Sequence, residues 1–258
     1  MMNASSPESG VDLPRLDAAQ HALRTERRRC VDEREAFRSF HADIVNQKTS
    51  VPTKTPPLLS ARQQTDNSLE RVQRSYERTV MSVPHYESEY GDSFETSLRE
   101  EFGPDVAAVF QSSNGLSETL RQRMVSAATA SYVERVDFIE VVDAEASSLE
   151  AVRDEAVQIH ARLCELDRVP LPDRGFDALW ALYESVGDLH ERLDTVLETR
   201  LATIVAHRQS LSPLHADVTE FLYQKLDARY PTLATLAELG EVIETASRRV
   251  ERHLAATP

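Results

Sequence analysis

Apolar residues recur at every third or fourth position along one long stretch without proline or glycine, from Ser117 to about Arg168. This spacing predicts an amphipathic α-helix and is close to a heptad repeat. Ser117 is a candidate N-cap, and Pro170 and Pro172 end the pattern. At ~1.5 Å per residue the helix would be roughly 75 Å long, so we expect a second long helix to pack against it.

The second long pattern follows after a short connection and runs from about Phe176 to Ser210. Because the connection is short, the two patterns predict a long antiparallel helical hairpin at 117–210, similar to a coiled coil. The apolar stripe that we expect the second helix to bury comprises Phe176, Leu179, Tyr183, Val186, Leu189, Leu193, Val196, Leu197, Leu201, Ile204 and Val205.

The rest of the chain also has helical spacing, and no segment alternates with the period of a strand. We predict a first helix from near Pro14 to about Gln47, a second over 59–83, short helices around Phe94–Phe102 and Val106–Phe110, one with Leu214, Val218, Phe221, Leu222 and Leu226, and a last one over Leu233–Leu254. The predicted fold is all-α, an elongated helical bundle. We expect a disordered tail at 1–12, one bundle domain at 13–255 and a proline-rich linker at 48–58.

The charge of the chain indicates what kind of organism it comes from and which classes of partner it disfavours. The net charge is -14, and lysine occurs only at Lys48, Lys54 and Lys225, so arginine supplies nearly all the positive charge. An acidic, lysine-poor surface is typical of proteins that work in concentrated salt, where self-repulsion is screened. We expect a haloarchaeal source; an acidic protein from a GC-rich bacterium is the alternative. The acidity argues against nucleic acid and anionic membranes as partners.

Nothing in the sequence predicts secretion or membrane insertion, and we expect a cytoplasmic protein. Cys30 and Cys164 both lie on apolar stripes, so we interpret them as small core residues in a reducing compartment. Arginines are concentrated within 24–29, and the acids interleaved among and after them favour a solvated face with local ion pairs over a nucleic-acid surface. These acids are Glu26, Asp32, Glu33 and Glu35.

Motifs for nucleotide binding, nucleophilic catalysis or di-iron binding are absent from the sequence. His160 and Cys164 share a helix face, but no second pair accompanies them. We therefore predict no metal, no cofactor and no catalytic residue, and hence no enzyme.

The densest group of chemically versatile side chains surrounds a forced turn at Pro84. Its members are Tyr76, Pro84, His85, Tyr86, Glu89, Tyr90 and Gly91; we call this segment the Pro84 corner. As a binding site, it would be an aromatic pocket with a titratable histidine. As structure, it would be a turn that tyrosines pin to the bundle, the interpretation that we favour.

The segment Tyr76–Tyr86, followed by Glu89-Tyr90-Gly91 and Glu101-Phe102-Gly103-Pro104, resembles a haloarchaeal family of long helical proteins classed as a domain of unknown function. Members are sometimes labelled transducer-like. The resemblance extends over most of 13–255 and implies an all-helical fold with no assigned activity.

These observations favour a non-enzymatic interaction, scaffold or regulatory protein that binds protein partners or associates with itself through its long helices. One alternative is a small-ligand sensor or enzyme that uses His85 and the tyrosines of the Pro84 corner. A second alternative is a regulator that binds nucleic acid through the arginines within 24–29.

Overall fold

The computed structural model describes residues 13–49, 67–210 and 218–257. These residues contain helices and turns but no strand, so the predicted all-α helical bundle is confirmed. The helices are α1 Leu13–Val45, α2 Ser68–Thr79, α3 Tyr86–Glu89, α4 Phe94–Phe102, α5 Pro104–Ser112, α6 Glu118–Leu166, α7 Phe176–Ser210, α8 Val218–Tyr223 and α9 Pro231–Ala256, with a 3₁₀ turn at Leu171–Asp173.

The chain divides into two compact units. One unit is Arg27–Glu140, and the other combines Met1–Glu26 with Val141–Pro258. We call them the middle unit and the terminal unit. The division falls inside α1 and inside α6, and a single domain over 13–255 stays a prediction.

Aromatic rings fill the core of the middle unit. The Tyr76 ring on α2 lies edge-on to Phe40 of α1 at 5.0 Å and to Phe94 of α4 at 5.5 Å between centroids. Its hydroxyl is hydrogen-bonded to Ser97 Oγ at 2.9 Å. Edge-to-face ring pairs stabilise a fold by more than the apolar area that they bury would predict. The contacts of Tyr76 therefore hold α1, α2 and α4 together.

The core of the terminal unit is aliphatic and joins the second half of α6 to α7 and α9. Glu155 of α6 pairs with Arg192, whereas the earlier Glu145 pairs with the later Arg200. Pairing in this opposite order makes α6 and α7 antiparallel, as the hairpin prediction required. The buried residues are Val152, Ala156, Ile159, Leu163, Leu171, Leu179, Leu182, Val186, Leu189, Leu193, Leu236, Leu239, Ile243 and Val250.

Local sequence signals set the ends of several helices. Ser93 caps α4 by accepting a hydrogen bond from the Thr96 amide at 3.3 Å. Gly103 has φ of +83°, and Pro104 opens α5 in the first helical position, which needs no amide donor. The predicted boundary between these two helices is therefore confirmed.

Some predicted segments end earlier than expected or lie outside the described residues. Helix α2 ends at Thr79 and α8 at Tyr223, so Leu226 is not helical. The tail 1–12, most of the linker 48–58 and positions 59–66 of the predicted second helix lie outside the described residues, as does Leu214.

The predicted α7 stripe is wrong at four positions, because Phe176, Tyr183, Leu201 and Val205 are exposed. The α6 and α9 helices cover only one narrow face of α7, and that face is lined by Leu179, Leu182, Val186, Leu189 and Leu193. The interpretation of Cys164 as a core residue is also wrong. Cys30 is buried, but Cys164 is exposed because Leu163 takes the inward position beside it.

No helix within the described ranges combines the length and the apolar character that crossing a bilayer requires.

Candidate functional site

The backbone of the Pro84 corner turns in two steps between α2 and α4. The amide of Tyr86 donates to the Val83 carbonyl at 3.0 Å, which closes the turn around Pro84. The amides of Tyr90 and Gly91 both donate to the Tyr86 carbonyl, at 2.8 and 3.0 Å. Gly91 has φ of +61°, the left-handed conformation that a glycine adopts at low cost.

His85 and Tyr90 meet at a carboxylate that sequence reasoning missed, Glu33 of α1. His85 Nε2 lies 2.8 Å from Glu33 Oε1, and the Tyr90 hydroxyl donates to the same oxygen at 2.8 Å. Glu33 lies four positions before the core residue Phe37 and three after the buried Cys30. An acid at a stripe position is the signal that could have revealed it.

Arg135 of α6 lies beside the Pro84 corner and contacts Glu33 through the second carboxylate oxygen, whereas His85 and Tyr90 contact the first. Its Nε donates to Glu33 Oε2 at 3.1 Å and one terminal nitrogen donates to Glu101 at 2.6 Å. The guanidinium carbon lies 4.9 Å from the centre of the Phe37 ring, a cation–π contact. One arginine beside the Pro84 corner is therefore hydrogen-bonded to two carboxylates.

At neutral pH Glu33 is ionised and Tyr90 is protonated. Burial opposes ionisation of Glu33, but Arg135 and the hydrogen bonds from His85 and Tyr90 outweigh it and lower the Glu33 pKa. Burial and the neighbouring Glu33 carboxylate raise the pKa of Tyr90, which stays protonated. Because Glu33 accepts from several donors, it is a poor base for a substrate proton.

The remaining predicted members of the Pro84 corner do not face a common pocket. Tyr76 belongs to the aromatic core, and Glu89 pairs with Arg29 at 2.5 Å. Tyr86 is buried, and its hydroxyl has no hydrogen-bond partner among the described residues. The adjoining cavity, lined in part by Tyr86, Tyr90 and Arg135, has a volume of about 40 Å³. That is room for water but not for a typical small-molecule ligand.

A second polar cluster, also missed from the sequence, is fully enclosed in the terminal unit. Arg200 of α7 donates to both oxygens of Glu145 of α6, at 2.6 and 2.7 Å. Its other contacts are Ser148 at 3.0 Å and Thr232 of α9 at 2.8 Å, and Tyr223 of α8 donates to Glu145 at 2.7 Å. We call these residues the Glu145 cluster. It joins four helices through one bidentate ion pair.

The surroundings of Glu145 keep its carboxylate ionised. Burial opposes the Glu145 charge, yet hydrogen bonds from His207 and Arg200 outweigh it and lower the Glu145 pKa. Burial and Glu145 raise the pKa of Tyr223. With both glutamate and arginine side chains 0% exposed, no substrate reaches them, so this cluster organises structure.

A third feature lies on the surface of the terminal unit, at the start of α7. Phe176, Trp180 and Tyr183 occur one helical turn apart and are exposed by 49%, 49% and 37%. Their rings are neighbours, with centroids 6.3 and 5.9 Å apart. We call them the aromatic stripe. The sequence predicts Phe176 and Tyr183 to be core residues. In the structure they lie on the surface instead.

No group of three or more metal-binding side chains occurs among the described residues. The His160 and Cys164 side chains are neighbours on α6, with sulfur-to-nitrogen distances of 3.8 and 3.9 Å, but no further ligand of this kind joins them.

A family model described as a domain of unknown function, DUF7260, matches residues 14–247. The chain belongs to this family. The match covers every described helix except Leu13 of α1 and the last part of α9, so both units are parts of the family's sequence pattern. Searches of the curated proteins and of the solved structures found no match.

Proposed function

We propose that this protein is a non-enzymatic helical interaction protein that binds a basic amphipathic segment of a partner protein through the aromatic stripe. The observation that carries this proposal is the row of three neighbouring, exposed aromatic rings on a rigid helix. Tryptophan and tyrosine are enriched among the residues that dominate binding energy at protein interfaces. A single exposed apolar residue is ordinary, whereas three in contact form a patch.

Charge around the stripe favours a basic partner. Exposed acids accompany the aromatic rings along the first turns of α7 and just before it: Asp173, Asp177, Glu184, Asp188 and Glu191. Two nearby arginines are engaged: Arg174 donates to the carbonyls of Leu166 and Val169, and Arg192 pairs with Glu155. Lysine or arginine on a partner helix would meet the carboxylates and the ring faces together.

The other functional hypotheses have less support. The cavity at the Pro84 corner is water-sized, and Glu33 there already accepts hydrogen bonds from three side chains. Among the arginines within 24–29, Arg29 pairs with Glu89, which leaves less positive charge for phosphates.

Trp180 is the only tryptophan of the chain, so its fluorescence reports on the stripe directly. The probe is a synthetic amphipathic helix without tryptophan, with leucines on one face and lysines and arginines on the other. We expect a saturable blue shift of Trp180 emission. A peptide with the same leucines and glutamate in place of the cations should cause none.

Two triple variants with the same net charge test whether peptide affinity depends on the acids beside the stripe or on the net charge of the protein. Asp177→Asn/Glu184→Gln/Asp188→Asn should weaken binding at least about threefold, a modest effect expected for partly exposed charges. Glu95→Gln/Asp137→Asn/Glu140→Gln removes the same number of exposed acids from the middle unit and should leave affinity nearly unchanged. Two results would contradict a basic partner: a blue shift that depends on the protein's own concentration without peptide, and sedimentation as a dimer. The stripe would then bind a second copy of the chain.

We also propose a cytoplasmic, haloarchaeal setting. The net charge of -14 and the near absence of lysine support it, because screening by salt relieves self-repulsion of the folded chain. The melting temperature should rise between ~0.1 M and ~2 M KCl. A constant or falling melting temperature would remove this argument.

A further inference from the structure

A large cavity in the terminal unit lies between the end of α6, the start of α7 and α9. Its volume is about 550 Å³, within the range of roughly 300–1,000 Å³ typical of small-molecule sites. We call it the α6–α7–α9 cavity. The function proposed above does not involve it, because none of the three aromatic-stripe residues lines it.

The floor of this cavity is apolar and comes from separate elements. Leu163 of α6, Leu171 of the 3₁₀ turn, Leu182 and Val186 of α7 and Val250 of α9 are buried residues of the core that also line the cavity. A floor built from core residues is positioned by the packing of the whole unit. It is therefore preformed for an apolar body and need not reorganise on binding.

The rim is polar and has more acids than bases. Its carboxylates belong to Asp167, Glu238 and Glu241, and its arginine is Arg249. Asp167 lies 3.6 Å from Arg249, and Glu238 pairs with Arg15 at 2.8 Å. Glu241 is exposed, and within the described part of the chain it forms no ion pair. The Glu241 carboxylate is therefore the rim charge that a bound ligand could neutralise, and it is negative.

From the apolar floor and the Glu241 carboxylate we infer that the α6–α7–α9 cavity binds a small cationic amphiphile, with its apolar body on the leucine floor and its positive head group beside Glu241. A neutral ligand would gain only the burial of its apolar body. An anionic ligand would face a rim of the same sign, which costs affinity.

Cys164 provides a built-in reporter, because it lines this cavity and is exposed while Cys30 is buried. The full chain is treated with N-ethylmaleimide, and modification of each cysteine is followed by mass spectrometry. Octyltrimethylammonium, octanol and octanoate are the probes. We expect saturable slowing of Cys164 modification by octyltrimethylammonium at a concentration at least about threefold lower than with octanol. Octanoate should be the weakest.

Two variants test the place of binding and the role of charge. Ala246→Trp fills the cavity and should raise the half-protecting concentration at least about tenfold, whereas Ala151→Trp, on an exposed face of α6 outside it, should not. Glu241→Gln should remove the preference for the cation over octanol, and Glu140→Gln in the middle unit should keep it. Far-UV circular dichroism confirms that each variant is folded, and ligand-induced shifts in melting temperature give a second readout.

Absence of protection by every probe, equal protection by octyltrimethylammonium and octanoate, or protection that survives Ala246→Trp in both readouts would overturn the proposal. Retention of the cation preference in Glu241→Gln would overturn the assignment of the head group. None of these outcomes bears on peptide binding at the aromatic stripe, which is measured separately through Trp180.

Discussion

Each unit places an arginine against a glutamate, but the two pairs differ in their access to water. In the Glu145 cluster both side chains are 0% exposed, whereas at the Pro84 corner Glu33 and Arg135 are 12% and 17% exposed. The same pair of residue types therefore has two consequences. The enclosed pair fixes how four helices meet, while the other keeps contact with solvent protons and ions.

The partners of the two pairs differ in the same way. Arg200 makes a two-point contact to one glutamate and uses its remaining donors on hydroxyl groups. Arg135 divides its hydrogen bonds between Glu33 and Glu101. A buried charge that loses its partner cannot be solvated, whereas a partly exposed one can recruit water. Loss of a partner should thus be more costly in the terminal unit.

The largest expected effect is that of Arg200→Met, which leaves Glu145 charged, buried and without its main partner. We expect a loss of about 3–5 kcal/mol in the free energy of unfolding. Urea denaturation followed by far-UV circular dichroism measures it.

The control for this prediction removes both charges. Because well-packed apolar groups can replace a buried ion pair at little cost, Glu145→Leu/Arg200→Met should recover more than half of the loss. A double variant as unstable as the single one would mean that the hydroxyls of Tyr223 and Thr232, and not the lone charge, determine the cost.

At the Pro84 corner, Arg135→Met should be less damaging, with a loss of about 1–3 kcal/mol, because water can reach the two carboxylates. Arg123→Met, at an exposed position of the same helix, should be nearly neutral and serves as the control. A loss equal to that of Arg200→Met would remove the distinction between the two pairs.

The sequence predicted the helices better than the polar contacts between them. Helix spacing, Ser93 and Gly103-Pro104 act over a few residues, so their effects can be predicted from local chemistry. The contact of Glu33 with Arg135 spans 102 positions and depends on how α1 and α6 pack. Local rules interpreted Glu33 as a member of a solvated charged face, although its position in the apolar stripe marked it.

The same limit explains the aromatic stripe. Apolar spacing identifies every residue that could face a core, but neighbours decide which face is covered. On α7 the covered face passes through Leu179 and Leu182, which leaves Phe176 and Tyr183 outside. Surface aromatic residues in contact with one another were therefore visible only after packing was known.

The contribution of Glu33 to the free energy of unfolding should depend on pH in the acidic range. Its pKa is held below the ordinary value of 4.5, so its stabilisation is present above that value and is lost as the pH falls through the folded-state pKa. At pH 7 we expect Glu33→Gln to cost about 1–2 kcal/mol. This difference from the unmodified chain should shrink toward zero as the carboxylate becomes protonated.

The measurement is urea denaturation of both proteins at a series of acidic pH values. Glu35→Gln, on an exposed part of the same helix, is the control. A difference that grows as the pH falls would contradict the lowered pKa of Glu33.

The smallest expected effect is loss of the Tyr86 hydroxyl, and a second buried tyrosine hydroxyl, that of Tyr223, is its comparison. The Tyr223 hydroxyl donates to Glu145, so Tyr223→Phe leaves a buried carboxylate one donor short and should cost about 1–3 kcal/mol. The Tyr86 hydroxyl is buried without a partner among the described residues, and Ser97 nearby is hydrogen-bonded to Tyr76. Removing that hydroxyl should change the free energy of unfolding by less than about 0.5 kcal/mol, or stabilise the protein.

Tyr86→Ala provides the contrast, because loss of the packed ring should cost roughly 3 kcal/mol or more whatever the hydroxyl does. A substantial loss in Tyr86→Phe would instead mean that a water molecule in the adjoining 40 Å³ cavity accepts from the hydroxyl. The Pro84 corner would then use its tyrosine as the Glu145 cluster does, through a buried hydrogen bond, and the two tyrosines would differ in the acceptor, a water molecule in one region and a carboxylate in the other.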